Sequence, residues 1–203
     1  MILHAYARAG IVCFLLSCCL LQTSGQLKLD TTKMKGGPVT DTTDRVFYAA
    51  DDGLPPLAGS EHYIEIRMHV GYLPMGGGQV FVLSFDGRKW SSRVVVTDPH
   101  LFDISKKEKT IKQYPVFPLK PYEEIFSDLV EAGLFSLPSQ AELKTGRYVD
   151  DGTYYLIACK VGSRFRMIKF NNPNEYHELF PKIKIFKQYI DLVAVFSKQF
   201  YRN

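Results

Sequence analysis

The alternation of apolar and polar positions is clearest from Tyr63 to Val70, where Ile64, Ile66, Met68 and Val70 interleave with Tyr63, Glu65, Arg67 and His69. A two-residue period predicts a half-buried strand, with a solvated polar face opposite the apolar one. Beyond a loop from Gly71 to Gly78, the β-rich runs Gln79 to Phe85 and Arg88 to Thr97 flank Asp86-Gly87, a strong hairpin signal. A two-residue turn there sets Leu83 opposite Trp90 and Phe81 opposite Ser92, with Phe85 on the same side. The other side carries Ser84, Lys89, Ser91 and Arg93 and reads as wetter. A second hairpin lies in the stretch from Val149 to Tyr176, where Thr153 to Val161 and Arg164 to Phe170 are separated by the Gly-first pair Gly162-Ser163. Asn172-Pro173-Asn174-Glu175 then supplies an N-cap residue, a proline at the first helical position and an acidic residue at N3.

The period changes to that of a helix in two further places. From Pro121 to Ala132, the residues Tyr122, Ile125, Phe126, Leu129 and Val130 line one face, and Gly133 ends the run. The helix capped at Asn172 is expected to stop at Phe180, because Pro181 cannot continue its hydrogen bonds and is placed to start the next helix. Ile183, Phe186, Tyr189, Ile190, Val193, Phe196 and Phe200 then form an apolar stripe long enough to cover a sheet. Strand, hairpin, helix, hairpin, helix is the order of an α+β fold: an antiparallel β-sheet built from hairpins, with two main helices packed on one face.

The N-terminal quarter lacks such patterns. Arg8 precedes an apolar run from Ala9 to Leu21 and the small residues Thr23-Ser24-Gly25, which reads as a secretory signal peptide over residues 1–25. Cleavage after Gly25 releases a chain starting at Gln26, secreted or periplasmic. Leu15-Leu16-Ser17-Cys18 also matches a lipobox, and lipidation at Cys18 is the alternative, giving a lipoprotein anchored at the cell envelope and in contact with a membrane by that route alone. Residues 26–44 are polar, threonine- and lysine-rich, and read as a flexible lead-in. Val46 to Ala50 is compatible with a short strand before the break at Asp51-Asp52-Gly53 and Pro55-Pro56. Residues 45–203 form the single folded domain, whose core is expected to start at His62.

Cysteine and charge narrow the chemistry. Cys13, Cys18 and Cys19 lie in the leader, so Cys159 is the one cysteine left after cleavage at Gly25, which excludes an internal disulfide and multi-cysteine zinc sites. With 25 Lys and Arg against 21 Asp and Glu, scattered along the chain, the charge does not suit nucleic-acid binding. The glycines Gly76-Gly77-Gly78 sit between strands without the lysine and hydroxyl of a phosphate loop. His62, Glu65 and His69 do not converge on one ion from a single strand. Asp51-Asp52-Gly53 and Asp150-Asp151-Gly152 lack the acidic spacing of a calcium loop. Cys159 falls in the middle of an apolar strand, where a thiol behaves as a small hydrophobe. No metal or cofactor is therefore expected.

What exceeds the needs of packing is tyrosine. Tyr48, Tyr63, Tyr72, Tyr148 and Tyr154 fall outside the clearly buried positions, and Tyr72, Tyr148 and Tyr154 are the candidate binding residues, beside the loops near Gly76 and Asp150. Asp151-Gly152-Thr153 opening a strand, the hairpin, Asn172-Pro173 and Tyr176 ahead of a long terminal helix together resemble uncharacterised secreted or lipoprotein-type proteins of bacterial envelopes. That resemblance covers the last third of the chain, and it implies an exported α+β domain with no activity attached. The expectation is a non-enzymatic exported domain that binds an unknown protein or small ligand, or is structural at the envelope. The alternative is a hydrolase with a site assembled from dispersed residues around His100.

Overall fold

The computed structural model describes residues 34, 37–38, 53–73, 78–97, 111–143, 145 and 152–200. Among these, seven strands form one antiparallel sheet: β1 (Gly37–Pro38), β2 (Ile64–Leu73), β3 (Gly78–Phe85), β4 (Trp90–Thr97), β5 (Ile111–Pro115), β6 (Gly152–Val161) and β7 (Arg164–Asn171). Their order across the sheet is β1-β7-β6-β2-β3-β4-β5, so the two long hairpins meet where β2 pairs with β6. Among the described residues, three α-helices complete the α+β fold: α1 (Tyr122–Glu131), the short α2 (Pro173–Leu179) and α3 (Lys184–Phe200).

One face of the sheet holds the main core. Ile64, Ile66, Met68 and Val70 of β2 share it with Phe81 and Leu83 of β3 and with Ile157 and Cys159 of β6, all buried. Helix α1 lays Ile125, Phe126 and Leu129 on that face, and α3 adds Phe186, Tyr189, Leu192, Phe196 and Phe200. Leu192 belongs to the buried stripe although the helical count from Ile183 passes over it; Val193, counted in, is half-buried. Phe170 and Tyr189 stack with centroids 4.3 Å apart, tying β7 to α3. The end of α1 follows from Gly133, whose φ of 103° admits the left-handed turn in which Leu134 N–H donates to Leu129 O and Gly133 N–H to Val130 O.

The structure changes three local expectations. Strands β3 and β4 pair through a four-residue loop, with Phe85 opposite Trp90 and Leu83 opposite Ser92. The cause is Asp86, whose carboxylate accepts the N–H groups of Arg88 and Lys89, each at 2.8 Å, and draws both residues into the turn. Because the slip is by two positions, Phe81, Leu83, Phe85 and Trp90 still share a face. Asn172 does occupy the N-cap position, but in the left-handed region at φ 41°, and its side chain does not cap the helix. Its Oδ1 accepts the Thr153 N–H at 2.8 Å, fastening β6 to β7, and a Cβ on Gly152 would sit 2.1 Å from that oxygen. Pro181 lies in a turn before α3 rather than at its first position, and α3 begins at Lys184.

Two stretches ahead of His62 contribute to the fold. Within the polar lead-in, Met34 is buried in the main core, and Gly37 and Pro38 pair with Phe165 and Arg164 of β7. Residues 53–60 form a strap across the second face of the sheet. Leu54 packs there with Val80, Val82 and Val95, and Leu57 with Ala158 and Phe165. The core thus begins before His62. Val46 to Ala50 lie outside the described residues.

Candidate functional site

Of the tyrosines named above, Tyr63, Tyr72 and Tyr154 fall among the described residues. Tyr148 lies outside the described residues, as do His100, Gly76 and Asp150. Tyr72 stands in β2 opposite Thr153, and Tyr154 stands in β6 opposite Gly71, so the two positions fall on alternate pleats of neighbouring strands. The Tyr154 ring lies against the Gly71 backbone so closely that a Cβ at Gly71 would be 2.0 Å from it. Tyr63, 48% exposed, immediately precedes β2 and does not line the cleft described below.

The polar positions of β2 are buried, which corrects the solvated face expected for Glu65 and His69. Glu65 is 2% exposed, Arg67 1% and His69 5%. Arg67 Nε donates to Glu65 Oε1 at 2.7 Å, its Nη2 lies 2.6 Å from the same oxygen, and its Nη1 donates to Pro55 O at 2.8 Å. Ser60 Oγ donates to Glu65 Oε2, and Lys160 Nζ, from the residue opposite Glu65 in β6, donates to Ser60 O. The strap therefore closes over an ion pair, with Leu54 and Leu57 on either side. A carboxylate engaged by a guanidinium and a hydroxyl is placed to hold the strap, not to take protons from a substrate. The sequence signal was present in Leu54-Pro55-Pro56-Leu57: two leucines spaced by prolines outside any periodic element.

Among the described residues, the remaining titratable groups do not assemble a reactive centre. Cys159 is 1% exposed in the main core, and burial pushes its thiol well above the ordinary range, so no thiolate forms near neutral pH. Tyr189, whose hydroxyl donates to Pro138 O at 2.8 Å, is likewise pushed up by burial. Among the described residues, no three His, Cys, Asp or Glu side chains come together as a metal site.

A different feature offers a binding surface. A cleft of about 410 Å³ opens between the end of α3 and the chain leaving β5, lined by Gln79, Phe81, Val94, Pro115, Val116, Phe117 and Phe200. Phe81 and Val94 form an apolar floor from neighbouring strands, and the Phe200 ring stands 6.3 Å from that of Phe81. The outer wall is fixed by two polar side chains. Ser92 Oγ donates to Val116 O at 2.5 Å while Val116 N–H donates to Ser92 O at 3.1 Å. Gln199 Oε1 accepts the N–H groups of Leu119 and Lys120, each at 3.2 Å, which staples this wall to α3. Beside the cleft, Phe117 is 68% and Leu119 75% exposed. Sequence reasoning missed this cleft, because Phe81 and Phe200 both read as core; the available hint was the run Pro115-Val116-Phe117-Pro118-Leu119, apolar without a strand or helix period.

Comparison with family models, with curated proteins and with solved structures finds no match for this chain. Among the described residues, no helix is long and apolar enough to cross a membrane.

Proposed function

We propose that this protein is an exported, non-enzymatic domain that works at the cell envelope by binding a partner or ligand through an apolar group. The observation that carries this reading is the cleft between β5 and α3. Its floor and one side are aromatic and aliphatic, its wall is held by Ser92 and Gln199, and Phe117 and Leu119 project beside it. An apolar hollow with a few fixed polar groups is the usual form of a small-ligand or side-chain pocket. The buried thiol of Cys159 supports binding over covalent catalysis. Export rests on the leader-like first 25 residues and on the resemblance of the C-terminal third to secreted and lipoprotein-type envelope proteins.

Two experiments test the two halves. Titration of the full chain with an apolar, environment-sensitive dye such as an anilinonaphthalene sulfonate is expected to give saturable binding that Phe117→Ser weakens while the circular dichroism spectrum is unchanged. Saturable binding indifferent to Phe117→Ser, or none at all, overturns the cleft. Mass spectrometry of the protein from its native host is expected to find a chain beginning at Gln26 or a lipidated Cys18. A chain still carrying its first 25 residues removes the export reading.

A further inference from the structure

From the outer edge of β5, which no strand among the described residues meets, we infer that the protein pairs with a second copy of itself, β5 against β5, to extend its sheet across a two-fold axis. Strand β5 is terminal in the sheet, and all five of its residues are exposed. Val116 N–H bonds inward to Ser92 O, so by the alternation of an antiparallel ladder Lys112 and Tyr114 also bond toward β4. Ile111, Gln113 and Pro115 then turn their backbone groups to the open side, where no strand among the described residues meets them.

That row of groups is self-complementary when Gln113 lies on the two-fold axis. Gln113 exchanges both backbone hydrogen bonds with its copy, and each Ile111 N–H meets a Pro115 carbonyl of the other chain. Pro115 has no N–H to offer, and in this register every donor on the edge is still used. The side chains agree with it: Lys112 falls opposite Tyr114 of the second copy, so opposite charges are not needed and like charges do not face each other. Sliding the pairing toward the N-terminus sets Lys112 directly against Lys112, and sliding it the other way brings both prolines into the central pairs and loses donors. Lysine and proline, which usually blunt a sheet edge, here select one register.

The apolar exposure is concentrated at this edge as well. Of the six large hydrophobic side chains exposed among the described residues, Ile111, Tyr114, Phe117 and Leu119 belong to β5 or the four residues after it. A five-residue ribbon with these flanks is small for a permanent interface, so the pairing is concentration-dependent. It does not depend on the cleft being occupied.

Sedimentation velocity of the full chain over a range of concentrations tests it. The wild type is expected to pass from monomer to dimer as concentration rises. Gln113→Pro removes the two N–H groups on the axis without touching an inward bond, and is expected to weaken dimerisation about tenfold. Tyr114→Lys places lysines opposite one another in both copies, and is expected to weaken the dimer more at low salt than at high salt. A wild type that stays monomeric at every concentration overturns the pairing, as does a dimer that both variants leave intact.

Discussion

The two faces of the sheet are buried by different means. On one, three helices cover an apolar surface in which Ile66, Met68, Phe186 and Tyr189 are each fully buried. On the other, a strap from residue 53 to residue 60 covers a surface that carries a glutamate, an arginine and a histidine, and it is held by Arg67, Ser60 and Lys160 as well as by two leucines. An apolar face tolerates many partners of suitable size, whereas a buried ion pair accepts only a cover that supplies its missing hydrogen bonds. The first face thus supplies most of the stability, and the second fixes where one short segment must lie.

Substitutions separate the two. Phe186→Ala, on the helix side, is expected to cost about 3–5 kcal/mol, and Leu57→Ala, under a strap that is able to settle, about 2 kcal/mol, both read from urea denaturation. Equal losses would mean that the strap is as rigid a part of the core as α3.

A smaller effect comes from titration on the helix side. Burial raises the Cys159 thiol in the folded state, so its contribution to stability is complete below the ordinary thiol range and is lost as pH rises through it. Thermal stability is therefore expected to fall in mild alkali, and Cys159→Ala to flatten that slope. In the folded protein at neutral pH, Cys159 is expected to resist a thiol reagent that labels the unfolded chain.

The smallest effect is at the β3–β4 turn, on neither face. Backbone N–H groups of Lys89 and Arg88 hold the Asp86 carboxyl below its ordinary value, so its contribution is present above that value and fades as pH falls through the lowered one. Asp86→Ala is expected to remove this acid-side slope and leave the neutral-pH fold intact, by the same denaturation measured across the acid range.

The same division explains how much of the molecule was legible in the sequence. Elements whose period reports a single apolar surface were readable: β2 from Ile64 to Val70, α1 from Tyr122 to Val130, and the β6–β7 hairpin with its two-residue turn at Gly162-Ser163. The burial of Glu65 and His69 was not, because alternation says which residues share a face and nothing about what lies on it. The strap is not periodic, and the partners that make its charges tolerable, Ser60 and Lys160, are separated by a hundred residues. The β3–β4 register turned on one carboxylate in the loop. The cleft was hidden for a related reason: Phe81, Val94 and Phe200 belong to three elements that each read as core, and only their tertiary arrangement leaves a gap.

A double-mutant cycle at Glu65 and Arg67 tests most directly whether the second face is a buried, mutually dependent polar surface. Each single change, Glu65→Leu or Arg67→Met, leaves one uncompensated charge beneath the strap and is expected to cost about 3–5 kcal/mol, while the double change restores most of that loss. Single changes costing less than about 0.5 kcal/mol and simply adding in the double variant, as solvated surface residues do, would contradict it.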